Sequence, residues 1–310
     1  MTREGSITAV GTSMDSYYGR PILKEPVWRP EIPLYFFTGG IAGASSVLHL
    51  VANALGNKTL ARRTLFIGAA ADAVNPVLLV SDLGRPERAL NMYRVFKVTS
   101  PMSVGSWILL VSGAASSTAA LLELVGKLKA VKAAAELVGA LSGGPLATYT
   151  GTLIADTSIP VWHEARHELP WLFGASAAAS AGAAAAVAVA PDEAGPARRL
   201  AAGATLVELV VMEAMKKRLG FVGEVYKQEA AGKLARVSKG CTAVGATLLA
   251  RPAKRSRAAA VVGGVLILAG ELALRWSVFK AGFQSARDPR YTVLPQKERL
   301  KRKKGEGHEH

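Results

Sequence analysis

Residues 81–107 read SDLGRPERALNMYRVFKVTSPMSVGSW and lie between two long apolar stretches of the chain. The segment opens with Gly84 and Pro86, which are typical of the end of a helix. Charged and aromatic side chains then alternate over a short distance. A polar connection of this composition between two apolar helices indicates a boundary between membrane and water. It therefore predicts a helical membrane protein with its chemistry concentrated at one boundary.

The composition supports the same fold class. The chain has 310 residues, of which 50% are hydrophobic, and a mean hydropathy of +0.24. A membrane-spanning helix needs about 20 mainly apolar residues, and the chain contains eight such stretches. We therefore predict an all-α polytopic membrane protein with about eight transmembrane helices, arranged as two four-helix bundles. The stretches are 34–55, 64–81, 102–125, 137–155, 169–190, 200–215, 234–250 and 258–279.

The fifth stretch is rich in Ala, Gly and Ser, which let helices approach closely, so we expect an interior packing helix there. Three regions follow from these spans: an amino-terminal arm over 1–33, a transmembrane domain over 34–280 and a basic tail over 281–310. The arm is polar and rich in proline, so no signal peptide is predicted. An even number of spans places both ends on one side, and Lys and Arg favour that side by roughly two to one, which predicts a cytoplasmic location for both.

The charge and the single cysteine narrow the function classes. The net charge of +15 includes the tail sequence KERLKRKK at 297–304, which can sit on anionic membrane lipid, so nucleic-acid binding is not expected. The lone Cys241 cannot hold an iron-sulfur cluster, which needs about four thiolates. A transmembrane b-type haem usually takes two buried histidines, whereas only His49 lies inside a predicted span. We therefore expect this chain to carry neither cluster nor haem.

Three stretches together carry a family resemblance: WRPEIPLYFFTGGIAG at 28–43, the segment 81–107, and YTGTLIADTSIPVWHEARHELP at 149–170. They resemble the NrfD-like, polysulfide-reductase-type membrane subunits, in their short eight-helix form. The resemblance runs through the first five spans, while the last three match mainly in length and hydropathy.

The resemblance implies a haem-free anchor in a bacterial or archaeal cytoplasmic (inner) membrane, with menaquinone or ubiquinone as bound substrate. It implies a ferredoxin-like iron-sulfur partner and, through it, a molybdopterin or nickel-iron catalytic subunit of the formate dehydrogenase, hydrogenase or polysulfide reductase type. This chain would then be a non-catalytic or quinone-site subunit.

Several polar and aromatic residues fall near the predicted inner boundary. Aromatic faces can stack on a quinone ring, and a tyrosine hydroxyl or a carboxylate can hydrogen-bond its carbonyl oxygen and supply a proton. The alternatives are an ordinary interfacial aromatic belt and, for the glycines, close helix packing. The predicted quinone-binding residues are Trp28, Tyr35, Gly39, Gly40, Asp82, Arg85, Trp107, Tyr149, Asp156 and His163.

Ionisable residues inside a predicted span are costly unless paired or hydrated, so they are functional candidates. Asp72 falls near the middle of the second span, Glu208 near the middle of the sixth, and His49 in the outer half of the first. With Glu164 in the connection after the fourth span, they form the predicted proton path. The alternative is a buried network that locks helices together, with Asp72 and Asn75 as one internal pair.

The connection after the second span carries Arg88, Arg94 and Lys97, which we predict to face the iron-sulfur partner. Basic loops are more often simply solvated or lipid-facing, and that alternative stays open. His163 and His167 are four residues apart, but no third ligand is assured, so no metal site is predicted.

Two other function classes remain open. A transporter or proton channel would also show buried charge, and a break at Asn75 and Pro76 could mark its substrate site. Dependence of activity on a co-purifying iron-sulfur subunit would argue against it. A purely structural anchor would dock a catalytic complex without binding quinone. In that case, removal of the inner-boundary polar residues would leave electron transfer to quinone unchanged.

Overall fold

The computed structural model describes residues 22–250, 253 and 256–297, and within these ranges the chain is helical without a strand. Residues 1–21 of the predicted arm and 298–310 of the basic tail lie outside them. The α-helices are α1 (Glu31–Ala54), α2 (Lys58–Asp82), α3 (Pro101–Val125), α4 (Lys129–Ala155), α5 (Pro160–Glu164), α6 (Leu169–Ala188), α7 (Gly195–Leu219), α8 (Glu229–Ala250) and α9 (Arg257–Arg287). Two 3-10 helices lie at Pro86–Tyr93 and Gly220–Lys227.

The predicted all-α polytopic fold is confirmed. Each long helix overlaps one of the eight apolar stretches, and α5 is a short addition in the connection after α4. Five helices, namely α1, α2, α3, α6 and α9, are long and apolar enough by composition to cross a membrane. The other three long helices carry more charged residues. The chain is a multi-pass membrane protein.

The helix ends alternate between two faces because consecutive long helices reverse direction. The face that we call the loop face carries the long connections 83–100, 156–168 and 220–228. The opposite turn face carries the shorter connections 55–57, 126–128 and 189–194. Arg287, at the end of α9, donates to both carboxylate oxygens of Glu25 at 2.7 and 3.0 Å. Both described ends of the chain therefore lie at the loop face, as the even number of spans predicts.

Short polar signals set several helix boundaries. The Asn57 side chain accepts a hydrogen bond from the Leu60 N–H at 3.0 Å and caps α2. Ser100 accepts from the Ser103 N–H at 3.4 Å and caps α3. Gly126 ends α3 with a positive φ of 71°, which glycine adopts without steric cost. Such caps satisfy backbone groups that a helix end leaves without partners.

The long helices pack as two groups of four, α1–α4 and α6–α9, as predicted. Helix α6 joins the groups, because it contacts α1, α2 and α4 on one side and α7 and α9 on the other. Half of its twelve buried residues are alanine, with serine and glycine among the others. The expectation of an interior packing helix in this stretch is confirmed.

Helices α1 and α4 meet at backbone distance. A Cβ atom added at Gly43 would lie 2.9 Å from the Ala147 nitrogen and closer still to the Gly143 carbonyl. Any side chain there would force the helices apart, so the glycine at this position is required by close packing. Close helix packing therefore accounts for Gly43.

Helix α2 runs without interruption from Lys58 to Asp82, with Pro76 inside it. A proline removes one backbone hydrogen bond but does not end this helix. The break considered for a transporter is therefore absent from α2.

Candidate functional site

A small cavity lies beneath the loop face, between α1, α2, the start of α3 and the end of α4. Its volume is about 70 Å³. Four of the predicted quinone-binding residues line it together with Met102 and Ser106. These four residues are Trp28, Tyr35, Asp82 and Tyr149.

Tyr35 and Asp82 supply polar atoms from two helix ends. Tyr35 lies in the second turn of α1, and its buried hydroxyl has no hydrogen-bond partner among the described residues. Asp82 is the last residue of α2, and its carboxylate accepts from the Arg29 backbone N–H at 2.9 Å. The hydrogen bond between Arg29 and Asp82 holds the arm next to the cavity.

Trp28 closes the cavity from the arm. Its ring stacks on Trp162 with centroids 5.5 Å apart and an interplanar angle of 25°. Trp162 is fully buried on α5 and donates its ring N–H to the Val278 carbonyl at 2.8 Å. The arm is therefore anchored to α5 and α9. Sequence reasoning missed Trp162, although it lies inside the family-like stretch 149–170.

The arm has a third anchor, which lies outside the membrane-spanning segments. The Arg287 guanidinium beside Glu25 holds the pKa of that carboxyl below its ordinary value, because it stabilises the charged form by hydrogen bonding. This contact fixes the arm to the end of α9.

Tyr149 separates the cavity from a larger space. Its ring packs on Gly105 so closely that a Cβ atom there would lie 2.8 Å from the ring Cζ. Tyr149 also lines an open groove of about 480 Å³ between the start of α3 and the end of α4. Gly105 is a second residue that sequence reasoning missed, because the sequence does not show which side chain packs against a glycine.

The two predicted glycines lie beside the cavity but do not line it. A Cβ atom added at Gly39 would lie 3.8 Å from the Asn75 side-chain nitrogen. One added at Gly40 would lie 3.1 Å from the Ala177 Cβ and 3.2 Å from an Arg275 guanidinium nitrogen. The two glycines thus let polar side chains of both helix groups approach α1.

Four other predicted residues lie outside the cavity. Trp107 packs edge-on against the rings of Tyr93 and Phe96, with centroids 5.9 and 6.2 Å away. It therefore fastens the connection 83–100 to α3. The other three are exposed: Arg85, Asp156 and His163.

Asp72 is buried in a polar cluster within the first helix group. Its carboxylate accepts from Ser116 at 2.7 Å, from Ser112 at 3.2 Å and from the Asn75 amide at 3.5 Å. The Asn75 oxygen in turn accepts from the Thr38 hydroxyl at 2.6 Å. The internal pair of Asp72 with Asn75 is confirmed, and the two serines are additions to it.

His49 lies nearer the turn face, and its partner was not predicted. Its Nδ1 is 2.7 Å from the Ala61 carbonyl oxygen, and its Nε2 is 3.1 Å from the Glu136 Oε1. Lys132 lies 3.3 Å from the same carboxylate oxygen. Glu136 escaped prediction because it precedes the fourth apolar stretch by one residue, whereas α4 begins seven residues before it.

Glu208 lies in the second helix group, apart from the other two intramembrane candidates. Glu208, Glu271 and Arg275 are all buried, each with at most 1% exposure. The Arg275 guanidinium donates to the Phe173 carbonyl at 2.9 Å and lies 3.8 Å from the centre of the Phe173 ring. This cluster connects α6, α7 and α9.

The connections of the loop face carry the remaining predicted residues. Arg88, Arg94 and Lys97 are all exposed on the connection 83–100. Glu164 is half-buried at the end of α5, and its backbone carbonyl accepts from Arg218. Within the part of the chain that the structure describes, no three His, Cys, Asp or Glu side chains are grouped as a metal site requires.

A comparison with known protein families matches the part of the chain that contains the cavity and the long helices. A family model described as polysulfide reductase, NrfD_2, matches residues 14–288 of the 310, which include residues 14–33 of the arm, the residues that line the cavity and every long helix. No curated protein matches the chain. The chain therefore belongs to the NrfD-like polysulfide reductase family, whose members are membrane subunits of oxidoreductase complexes.

Proposed function

We propose that this chain is the haem-free, quinone-reactive membrane subunit of a multi-subunit oxidoreductase. It exchanges electrons between an iron-sulfur partner and membrane menaquinone or ubiquinone, and the exchange is coupled to proton movement. The observation that carries the proposal is the cavity beneath the loop face, where Trp28, Tyr35, Asp82 and Tyr149 converge next to an open groove.

The size of the cavity bears on how quinone reaches it. Ligand pockets usually have about 300–1,000 Å³, and the cavity alone has about 70 Å³. The neighbouring groove has about 480 Å³, and Tyr149 is the residue that both spaces share. Turning of the Tyr149 ring would join them into a space of ligand-pocket size. Quinone would then arrive from the lipid between α3 and α4.

The cavity side chains suit quinone chemistry. Reduction of a quinone to a quinol consumes two electrons and two protons. The unpartnered Tyr35 hydroxyl can donate a hydrogen bond to a carbonyl oxygen, and the Asp82 carboxyl can pass on a proton. The rings of Trp28 and Tyr149 provide faces on which a quinone ring can stack. The cavity thus has few polar atoms, and aromatic rings line the space around them.

We further propose that a ferredoxin-like iron-sulfur subunit docks on the loop face and links this chain to a molybdopterin or nickel-iron catalytic subunit. The loop face has the longest connections, and the basic triplet Arg88, Arg94 and Lys97 is exposed on one of them. Exposed cations attract an acidic partner surface and set the orientation of docking. A partner here would hold its cluster on the same side as the cavity. We assign this face to the cytoplasm from the charge bias.

The quinone site is tested in the purified complex by steady-state quinone kinetics. Tyr35→Phe removes one hydrogen bond, worth about 0.5–1.5 kcal/mol, so we expect KM to rise by up to about tenfold. Asp82→Asn keeps an oxygen for the Arg29 N–H but cannot carry the proton, so we expect kcat to fall by about 10²–10⁴. Tyr93→Phe, outside the cavity, is the matched control. Wild-type kinetics in both cavity variants would refute the site.

Partner docking is tested by affinity purification from the native membrane. We expect an iron-sulfur protein, a molybdenum or nickel enzyme and quinone to co-purify with the tagged chain. Charge reversal of the basic triplet should release the partners, whereas reversal of an exposed turn-face triplet should not. Recovery of the chain alone, free of metal and quinone, would favour a transporter instead. The control triplet is Arg63, Lys127 and Lys129.

A further inference from the structure

An apolar groove lies between the two helix groups, towards the turn face. Its volume is about 600 Å³, within the usual range of ligand pockets of about 300–1,000 Å³. We call it the seam groove, and it shares no lining residue with the cavity beneath the loop face. Its wall includes Val47 and Val51 from α1, Gly144 from α4, Ala178 from α6 and Arg199 from α7. A ligand in the seam groove would therefore contact both helix groups.

The lining of the seam groove is almost entirely apolar. Val47 and Val51 are exposed on α1, and nothing lies within 4 Å of a Cβ atom added at Gly144. Two of the lining residues have polar side chains, and the hydroxyl of one, Thr148, donates to the Gly144 carbonyl at 3.1 Å. The other is Arg199. Because an unpaired polar group is costly in apolar surroundings, the groove suits a long apolar ligand with one charged end.

The length of the seam groove matches one membrane leaflet. Helix α6 ends and helix α7 begins at the turn face. Arg199 comes four residues after the start of α7, and Gly174, at the other end of the groove, comes 14 residues before the end of α6. At about 1.5 Å per residue, these positions lie about 6 and 21 Å from the turn face. The groove is therefore about 15 Å long, half of a hydrocarbon core of about 30 Å.

Positive charge marks the turn-face end of the seam groove. The Arg199 side chain is exposed, and no acidic side chain pairs with it in the part of the chain that the structure describes. The neighbouring Arg198 donates to the Ala253 carbonyl at 2.9 Å and adds a second cation, while Glu193 accepts from Thr59 instead. A guanidinium binds phosphate through two parallel N–H groups. Basic pockets between transmembrane helices bind anionic lipid headgroups in this way.

We propose that the seam groove binds an anionic phospholipid of the leaflet at the turn face. One acyl chain lies along Val47, Gly144 and Ala178, and the phosphate pairs with Arg199. The chain length, the apolar lining and the unpaired cation at one end together favour this occupant over a soluble anion or a protein helix. The bound lipid contacts both helix groups and so stabilises their association. This lipid site is independent of the proposed quinone function, because the two sites have separate linings.

The first test measures lipid binding to the delipidated wild-type complex by native mass spectrometry. The probes are phosphatidylglycerol and phosphatidylcholine with identical acyl chains, so only the headgroup charge differs. We expect saturable binding of phosphatidylglycerol at least fivefold tighter than that of phosphatidylcholine. Inorganic phosphate should not displace the lipid, because it has no acyl chain to fill the groove. Equal affinity for the two lipids, or displacement by inorganic phosphate, would overturn the proposal.

The second test changes each end of the site. Arg199→Gln should lower the affinity for phosphatidylglycerol at least fivefold and leave that for phosphatidylcholine unchanged, whereas Arg63→Gln, also exposed near the turn face, should stay within twofold of wild type. Gly144→Leu places a side chain in the groove and should abolish saturable binding of both lipids. Gly113→Leu is its control, because an added Cβ there also has nothing within 4 Å. Wild-type phosphatidylglycerol binding in an assembled Arg199→Gln or Gly144→Leu complex would overturn the site.

The third test identifies the occupant in the native membrane. A photoreactive amino acid replaces Val51 in the groove or, as a control, Val111 on α3, which has a similar exposure of 41% against 47%. We expect phospholipid adducts at position 51 that contain at least fivefold more anionic lipid than those at position 111. A protein adduct at position 51, or the same lipid composition at both positions, would overturn the proposal.

Discussion

Gly105→Ala is the most direct test of the contact that separates the cavity from the open groove between α3 and α4. The added Cβ would lie 2.7 Å from the Tyr149 Cδ2 and 2.8 Å from its Cζ. The ring Cε2 would lie closer still to the added Cβ. Carbon atoms attract one another at about 3.5–4.0 Å, so the ring must move by more than about 1 Å. Overpacking of this kind costs about 1–3 kcal/mol. The better helix propensity of alanine offsets at most about 1 kcal/mol of that cost.

The displaced ring should also weaken quinone binding. A well-placed aromatic contact contributes about 0.5–1.5 kcal/mol, and about 1.4 kcal/mol corresponds to a factor of ten in affinity. We therefore expect the KM for quinone to rise by about three- to tenfold in Gly105→Ala. The kcat should change much less, because the Asp82 carboxyl, which passes on the proton, stays in place.

The assay is a double-mutant cycle that combines thermal denaturation with quinone kinetics. In a Tyr149→Ala background no ring remains to be displaced, so Gly105→Ala should lose its destabilising effect. Gly113→Ala is the control on the same helix, because nothing lies within 4 Å of an added Cβ there. Equal destabilisation by Gly105→Ala in both backgrounds would show that the ring contact is not the cause.

Three further predictions concern packing and charge. Trp162→Ala should lower stability by about 3–5 kcal/mol in thermal denaturation, because it removes a buried ring and its bond to Val278; a loss below 1 kcal/mol would contradict this. Arg275→Gln leaves the buried Glu208 and Glu271 without their cation and should lower the free energy of unfolding by about 3–5 kcal/mol in the same denaturation assay. Replacing Arg275, Glu208 and Glu271 together by apolar residues should recover most of that loss. Because Arg287 lowers the pKa of Glu25, the arm contact is fully formed above the ordinary value of 4.5 and is lost as the pH falls through the lowered pKa. An acid-active protease should cleave the arm increasingly over that window in wild type, while Glu25→Gln should show no such step.

Helix positions could be predicted from sequence because lipid demands long apolar stretches, and each of the eight stretches meets one long helix. The grouping of Tyr35, Asp82 and Tyr149 at one boundary followed from the alternating directions of the predicted spans. Their convergence on one cavity agrees with that depth assignment. Arg85 and Asp156 share the same depth but point away from the cavity. Depth along a helix is readable from a sequence, whereas rotation about its axis depends on neighbouring helices.

Partners that lie far apart in the chain were beyond sequence reasoning. Glu136 was missed because lysines and its own charge lower the hydropathy at the start of α4, which shortened the predicted span. Its contact with His49 joins residues 87 positions apart, and no local periodicity encodes such a pair. Gly105 was missed for a related reason, because a glycine is required there only by the Tyr149 ring, which lies 44 positions away in the chain and packs against it.

The glycine contact between α1 and α4 also bears on how the protein is made. Gly43 and Gly143 are 100 residues apart, and chains grow at about 5–20 residues per second, so α1 waits about 5–20 s for its partner surface. During synthesis α1 can pair with α2, but its glycine surface stays against lipid. A bulky residue at Gly43 would therefore leave membrane insertion of α1 unaffected but would block the later packing of α1 against α4. Newly made chains would accumulate as inserted but unassembled protein, a natural substrate for membrane quality-control proteases.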